Sequence, residues 1–421
     1  MNRKLSVGTL VVASAFMTMS ACGGGSGSGT NDTSASSTTT GPITAFGSVY
    51  VNGSRYETGG VDVYIEDELA DESELRVGMM VTIERDENGD ALTISHDDDL
   101  EGLVTATDTA NGTLDIMGQT VTITTETIFE SEVAGITDVS MIQIGNIVEV
   151  SGYSSGMGAI SATRIEVESD NLANYLATHS DGIEVKGVVM NHSPADSEFD
   201  LGNMTVNYAG AVLEDLDAGI DNGIYVEVKS VQGLVNNILI ASVIELEDDG
   251  TIEHEGEANE EYEFSGLIMA INGDTITVNG EVVTLTSETE FDDVTRDSLA
   301  VGDEVEVEGV FDDAGNLIAH SIEREESESD RIEMSGTIAS VTSTDINIGS
   351  ITLEDGNIIL VNNDTLMHDS RDVGMVAETR FNLSDLASGD YIEIYVTDNG
   401  DGTFTAVRLE REDIPEVALL N

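Results

Sequence analysis

Basic residues are scarce in this sequence: 15 Lys and Arg stand against 82 Asp and Glu, a formal net charge of −67 over 421 residues. So few cations cannot displace the counterions of a phosphate backbone, the source of nucleic-acid affinity. An anionic membrane surface repels such a chain for the same reason. Cysteine occurs once, which excludes an internal disulfide framework and any multi-cysteine metal site. Tryptophan is absent and aromatics make up only 5%. What is there is a 40% hydrophobic content, too apolar for a wholly disordered acidic chain, so packed domains are expected.

The N-terminus carries an address. Arg3 and Lys4 form a positive region, Leu5 to Met17 form a short apolar one, and small residues lead to Met19-Ser20-Ala21-Cys22-Gly23. A membrane-spanning helix needs roughly 20 apolar residues, so residues 1–21 read as a secretion signal. The ending resembles the bacterial lipobox, with Met19 in place of the usual leucine. That resemblance implies that Cys22 is acylated and becomes the first mature residue. By similarity to enterobacterial sorting, Gly23 after the cysteine implies the outer membrane. Residues 22–40 then read as the lipidated cysteine and a Gly/Ser/Thr tether with an end-to-end distance of roughly 20–25 Å.

Internal repetition organises the rest. Leu114 to Phe129 (LDIMGQTVTITTETIF) matches Ile276 to Phe291 (ITVNGEVVTLTSETEF), and Ile144 to Gly152 matches Val301 to Gly309. Looser copies begin at Gly41, near Gly182 and near Arg331. The expected domains are residues 41–98, 99–170, 182–247, 263–325 and 331–411, with an acidic linker at 248–262. Asn171 to His179 is expected to form a short helix between the second and third.

Within the fourth unit, Asn279-Gly280 predicts a type I′ hairpin. Glu304 to Val310 alternates Glu and Val, a half-buried strand of period two. Asp292 to Ala300 is capable of one or two helical turns. Strand, strand, strand, short helix, strand, strand is the order of an OB-like barrel. The expectation is an all-β tandem array of five small OB-like five-stranded β-barrels, each with a short helix between strands 3 and 4. An SH3-like barrel and a tandem sandwich stay open, since order alone does not give pairing.

The GPITAFGSVYVNG opening, the Asn-Gly hairpin, the Glu-Thr-x-Phe strand end and the L-x-x-G-D-x-V-E-V-x-G segment resemble domain of unknown function 5666. The likeness covers most of residues 41 to 410, sharpest in units one, two and four. It implies tandem small β-domains in exported bacterial proteins, many of them lipoproteins, and carries over no functional residues.

Catalytic signatures are sparse. The histidines, His96, His179, His192, His254, His320 and His368, are scattered without metal-ligand spacing and read as solvent-facing polar residues. No nucleophile elbow, Walker sequence or dinucleotide fingerprint occurs, and no cofactor is expected. Calcium is the better chemical candidate, since hard cations take carboxylate oxygens. The candidate ligands are Asp86 and Asp90, Asp312 and Asp313, and Asp398 and Asp401, in loops that also read as simple Asp/Asn/Gly turns. The glutamates of the Val-Glu-Val strands are expected to face water. Tyr50, Tyr225, Tyr391 and Tyr395 lie on expected strands and read as packing or wet-edge residues.

The expected protein is a non-catalytic, lipid-anchored envelope component, periplasmic or surface-facing, that acts as a spacer or interaction module. Cations or a basic envelope partner are its natural ligands, and it binds no nucleic acid. The alternatives are a cell-surface glycan-binding protein and, less favoured, an envelope-polymer hydrolase.

Overall fold

A computed structural model describes residues 37–414 except 67, 109–110, 156, 217, 248–260, 293, 313, 326–330 and 372–379. The expected signal peptide, Cys22, His254, Asp313 and most of the acidic linker therefore lie outside the described residues. From Ala35 to Asn421 the chain clusters as one unit, and it is all-β. Among the described residues, no helix is long and apolar enough to cross a membrane.

In the second repeat, alternation of Val and Ile with polar residues produces strands Leu100–Asp108, Thr113–Ile116, Gln119–Ser131, Ile147–Ser154 and Ala159–Ser169. They pair in the circuit first, second, third, fifth, fourth and back to first; only the third and fifth are parallel. The circuit closes, which removes the free edges of a small sheet. The fourth repeat closes in the same way through Glu261–Asn272, Thr275–Val278, Glu281–Thr284, Leu317–Arg324 and Glu304–Phe311. The fifth follows the same circuit through Ile332–Ser343, Gly349–Leu353, Ile358–Val361, Thr403–Glu412 and Tyr391–Asp398. In the first and third repeats the strands are broken into shorter pieces, so their pairing is split between two sheets.

One glycine turn is common to all five repeats. Gly78, Gly145, Gly223, Gly302 and Gly389 have φ between 86° and 101°, a region that penalises any side chain. Each donates its N–H to a first-strand carbonyl, that of Ile43, Val104, Val189, Ile268 or Ile338, at 2.8–2.9 Å. The N–H of that first-strand residue returns to the residue after the glycine. The reciprocal pair ties the entry of the fourth strand to the first.

Between the third and fourth strands, the expected helices shrink to single 3₁₀ turns: Glu72–Glu74, Val139–Met141, Arg296–Ser298 and Leu383–Asp385. Asp71, Asp138 and Asn382 cap three of them by accepting from a backbone N–H. Leu172–Tyr175 forms the expected short α-helix, capped by Asn171, with Tyr175 buried and stacked on His179.

The repeats do not associate only with their sequence neighbours. Ser37–Pro42 is a strand, with Thr39 fully buried, where a tether was expected. It pairs antiparallel with Met80–Arg85 on one side and parallel with Glu261–Phe264 of the fourth repeat on the other. Glu261 and Tyr262, assigned from sequence to the acidic linker, thus belong to that shared sheet. Glu184 and Val185 pair with Glu101 and Leu100, joining the second and third repeats, whose cores merge. The fifth repeat packs on the first: Met367 N–H donates to the Thr44 carbonyl at 2.9 Å, and Ala45 and Tyr50 enter its core.

Candidate functional site

The Glu-Thr-x-Phe strand end is where the third strand steps from one half to the other. In the second repeat, Thr127 is buried and its hydroxyl donates to the Ala162 carbonyl on the fifth strand at 2.7 Å. The same oxygen accepts from the Thr124 N–H at 2.9 Å, and Thr124 Oγ1 accepts from the Glu126 N–H at 3.2 Å. Thr289 repeats this with Ala319 and Thr286, and Thr365 with Ala406 and Asn362. The turn's inward polar groups are thereby satisfied, and its two middle residues are presented outward: Thr125-Glu126, Ser287-Glu288 and Asn363-Asp364.

In two of these copies another repeat covers the turn. Thr125 Oγ1 accepts from Arg331 Nη1 at 3.1 Å, the Thr125 carbonyl accepts from Arg408 at 3.3 Å, and Glu126 pairs with Arg331 at 2.5 Å. Thr163, on the adjoining fifth strand, donates to the Gly78 carbonyl of the first repeat at 2.6 Å. In the fifth repeat, Asn363 donates to the Gly53 carbonyl and its own carbonyl accepts from Thr44. In the fourth repeat the turn borders a cleft of ≈ 500 Å³, with Ser287, Glu288, Glu290, Glu308, His320 and Ser321 among its walls. Ser287, Glu288 and His320 are exposed there.

Among the described residues, several of the few cations bridge one repeat to another. Arg85 pairs with Glu263, Lys186 with Glu66, Arg331 with Glu126 and Arg380 with Glu72, each pair spanning two repeats. Arg164, 1% exposed, is held between Glu130 and Glu166. Burial pushes the Glu130 carboxyl up, but Arg164 and His368 more than reverse this, so it stays ionised below the ordinary value.

The carboxylates that lack such a partner behave differently. Burial pushes Asp99 and Glu101 up to about 7, Glu168 to about 8 and Glu306 to about 9. Burial likewise raises Glu149 and Glu304. The Val-Glu-Val glutamates were expected in water; Glu149, Glu304 and Glu306 are instead half-buried, with Asp98 of the first repeat beside Glu149 and Tyr153 of the second beside Glu304.

Among the described residues, three groups bring ligating atoms within 4.8 Å of one another: His96, Asp98 and Glu149; Glu66, Glu184 and Glu227; Glu227, Glu245 and Glu247. Two of them already contain cations. Lys229 Nζ lies 2.9 Å from Glu227 and 3.6 Å from Glu184, and Lys186 lies 3.6 Å from Glu66. His96 has Nδ1 2.7 Å from the Met80 carbonyl and Nε2 3.1 Å from Asp98. Both nitrogens face acceptors, the arrangement of an imidazolium. Burial pushes its pKa down, but the hydrogen bond and charge of Asp98 more than reverse this, leaving it raised.

The calcium candidates lie in separate loops. Asp86 accepts from the N–H groups of Asn88 and Asp90, Asp312 from Ala314 and Asn316, Asp398 from Gly400, and Asp401 from Thr403. Each carboxylate closes its own turn, and Asp90 contributes its backbone N–H and carbonyl to the same loop. Hydrogen bonds from Asn88, Asn316 and Thr403 lower Asp86, Asp312 and Asp401 respectively.

Two histidines depart from the solvent-facing expectation: His96 and His368 are 2% and 7% exposed. His179 and His320 are exposed, and His192 is half-buried beside Tyr208. Tyr50 is buried as a packing residue, while Tyr225, Tyr391 and Tyr395 are half-buried on their strands. Sequence reasoning missed the outward residues of the turn; its signal was the Thr-x-Glu-Thr spacing itself, read only as the end of a strand.

Residues 101–166, 265–323 and 335–410, in the second, fourth and fifth repeats, match the family model described as Domain of unknown function (DUF5666). No curated protein matches the chain. A solved structure, drosophila Unr CSD456, aligns at 14% identity over 55% of this chain and 97% of that one, with a TM-score of 0.14. A score that low bears on neither fold nor function.

Proposed function

We propose that this chain, three of whose repeats match the DUF5666 family model, is a non-catalytic interaction module of the bacterial cell envelope. It is built of five OB-like barrels and held at the outer membrane by a lipid on Cys22. The observation that carries the reading is where the repeats do their recognition. Their interiors are filled, with Val305, Val307 and Ile322 at 0% exposure, while the outward turns of the second and fifth repeats grip other repeats. The pairing of the first repeat with the fourth favours an interaction module over an extended spacer. The scarcity of Lys and Arg makes cations or a basic envelope protein the natural ligands.

Two measurements test this. Cys22→Ser should move the protein from the membrane fraction to the soluble one; unchanged partitioning removes the anchor. Mature protein immobilised and challenged with envelope extract should retain a saturable basic partner at ~150 mM salt, where exposed charges are screened. Retention that vanishes in salt means diffuse attraction and ends the interaction reading.

A further inference from the structure

We infer that the cleft beside Ser287 and Glu288 is a docking site for arginine on a basic polypeptide partner. The inference rests on the interaction-module reading and names its site and the chemistry of its ligand.

The argument is internal to the chain. The turn Thr286–Thr289 has the same hydrogen bonds as Thr124–Thr127. In the second repeat the outward acceptors of that turn, the Thr125 carbonyl and hydroxyl and the Glu126 carboxylate, are taken by the guanidinium groups of Arg331 and Arg408. The fourth repeat presents the equivalent acceptors at Ser287 and Glu288, exposed and at the mouth of a cleft. The fifth-strand position that Thr163 fills beneath the first repeat is His320 here, also exposed.

The chemistry selects among ligands. The turn's N–H donors at Thr286 and Glu288 are already bonded inside it, which leaves the Glu288 carboxylate and the Ser287 oxygens as its outward acceptors. Glu290 and Glu308 add negative charge, and Glu308 accepts from the Ser321 hydroxyl at 2.9 Å. The negative charge of Glu288, Glu290 and Glu308 disfavours an anion there. A planar guanidinium reaches several acceptors at once, which a lysine ammonium does less well. A second copy of this chain is a poor occupant: at −67 it repels its own kind, and Arg85, Arg164, Arg331, Arg408 and Arg411 are engaged in ion pairs.

The test uses mature protein and a labelled pentapeptide with two arginines alternating with glycine, alongside its lysine counterpart, at ~150 mM salt. The arginine peptide should bind at one site and more tightly than the lysine peptide. Glu288→Gln should weaken it about tenfold, the scale of one charge-assisted hydrogen bond. Glu354→Gln, the same charge change at an exposed residue outside the cleft, should change it less than twofold. Equal binding of the two peptides, or equal effects of the two substitutions, overturns the inference in favour of diffuse attraction. Should the peptide fail while envelope extract still yields a saturable basic partner, the cleft is wrong and the interaction module stands. Should both fail, neither survives.

Discussion

Thr127 and Ala162 lie 35 residues apart in sequence, yet the hydroxyl of one donates to the carbonyl of the other at 2.7 Å inside the second barrel. The same bond joins Thr289 to Ala319 and Thr365 to Ala406, each at 2.9 Å. Replacing any of these threonines by valine keeps the shape but strands a buried carbonyl and an N–H. A loss of about 1–3 kcal/mol in denaturant unfolding is expected, with serine retaining most of the stability. A valine variant as stable as the parent would show that the step in the third strand does not depend on this bond.

Arg164 offers a second prediction. Arg164→Met leaves the carboxylates of Glu130 and Glu166 without their cationic partner at a buried junction, and a loss of about 3–5 kcal/mol is expected. Adding Glu130→Gln to that variant should restore part of it. If the double variant were no better than the single, packing rather than charge would account for the loss.

Stability should fall as the solution is made alkaline. Asp99, Glu101, Glu168 and Glu306 hold protons in the folded state up to about 7, 7, 8 and 9, well above the usual carboxylate range. Between that range and those values the folded protein binds more protons than the unfolded chain, so unfolding becomes easier with rising pH. Each such group contributes a slope of at most about 1.4 kcal/mol per pH unit. Thermal melts should peak near pH ~5 and decline toward pH ~9. A flat profile would mean these junction carboxyls are solvated.

The loop aspartates are occupied by their own turns, which bears on calcium. Asp312 accepts from the backbone of Ala314 and Asn316 and from the Asn316 side chain. A cation must displace these donors to bind there. Calcium binding by calorimetry should therefore be the same for the parent and Asp312→Asn. Loss of a stoichiometric calcium site in the variant would restore the loop as a metal ligand.

What could be read from the sequence was local. The Asn279-Gly280 hairpin has both residues at positive φ, and the Gly-Asp before Val305 forms the turn that its composition implied. The alternation of Glu304 to Val310 placed Val305 and Val307 in the core. What was missed was non-local. Residues Ser37 to Thr40 are three threonines and a serine, a composition shared with flexible tethers; pairing with Met80 to Arg85 on one side and with Glu261 to Phe264, more than 200 residues away, on the other makes them a strand. The burial of Glu149 and Glu304 was hidden for the same reason: alternation assigns a residue to the outside of its barrel but says nothing of what lies against that outside. The third repeat was faint because its strands are interrupted, as at Val189 between Ile183–Val188 and Met190–Ser193.

The strand Ser37–Pro42 enters the fold hydrogen-bonded on both flanks. A pull applied at Ser37 along the strand would meet these bonds side by side, and they must fail together rather than peel one after another. The point where the chain leaves its N-terminal segment is thus a mechanical clamp, loaded in shear. The repeats it grips, the first and the fourth, would take up force jointly before either begins to unravel.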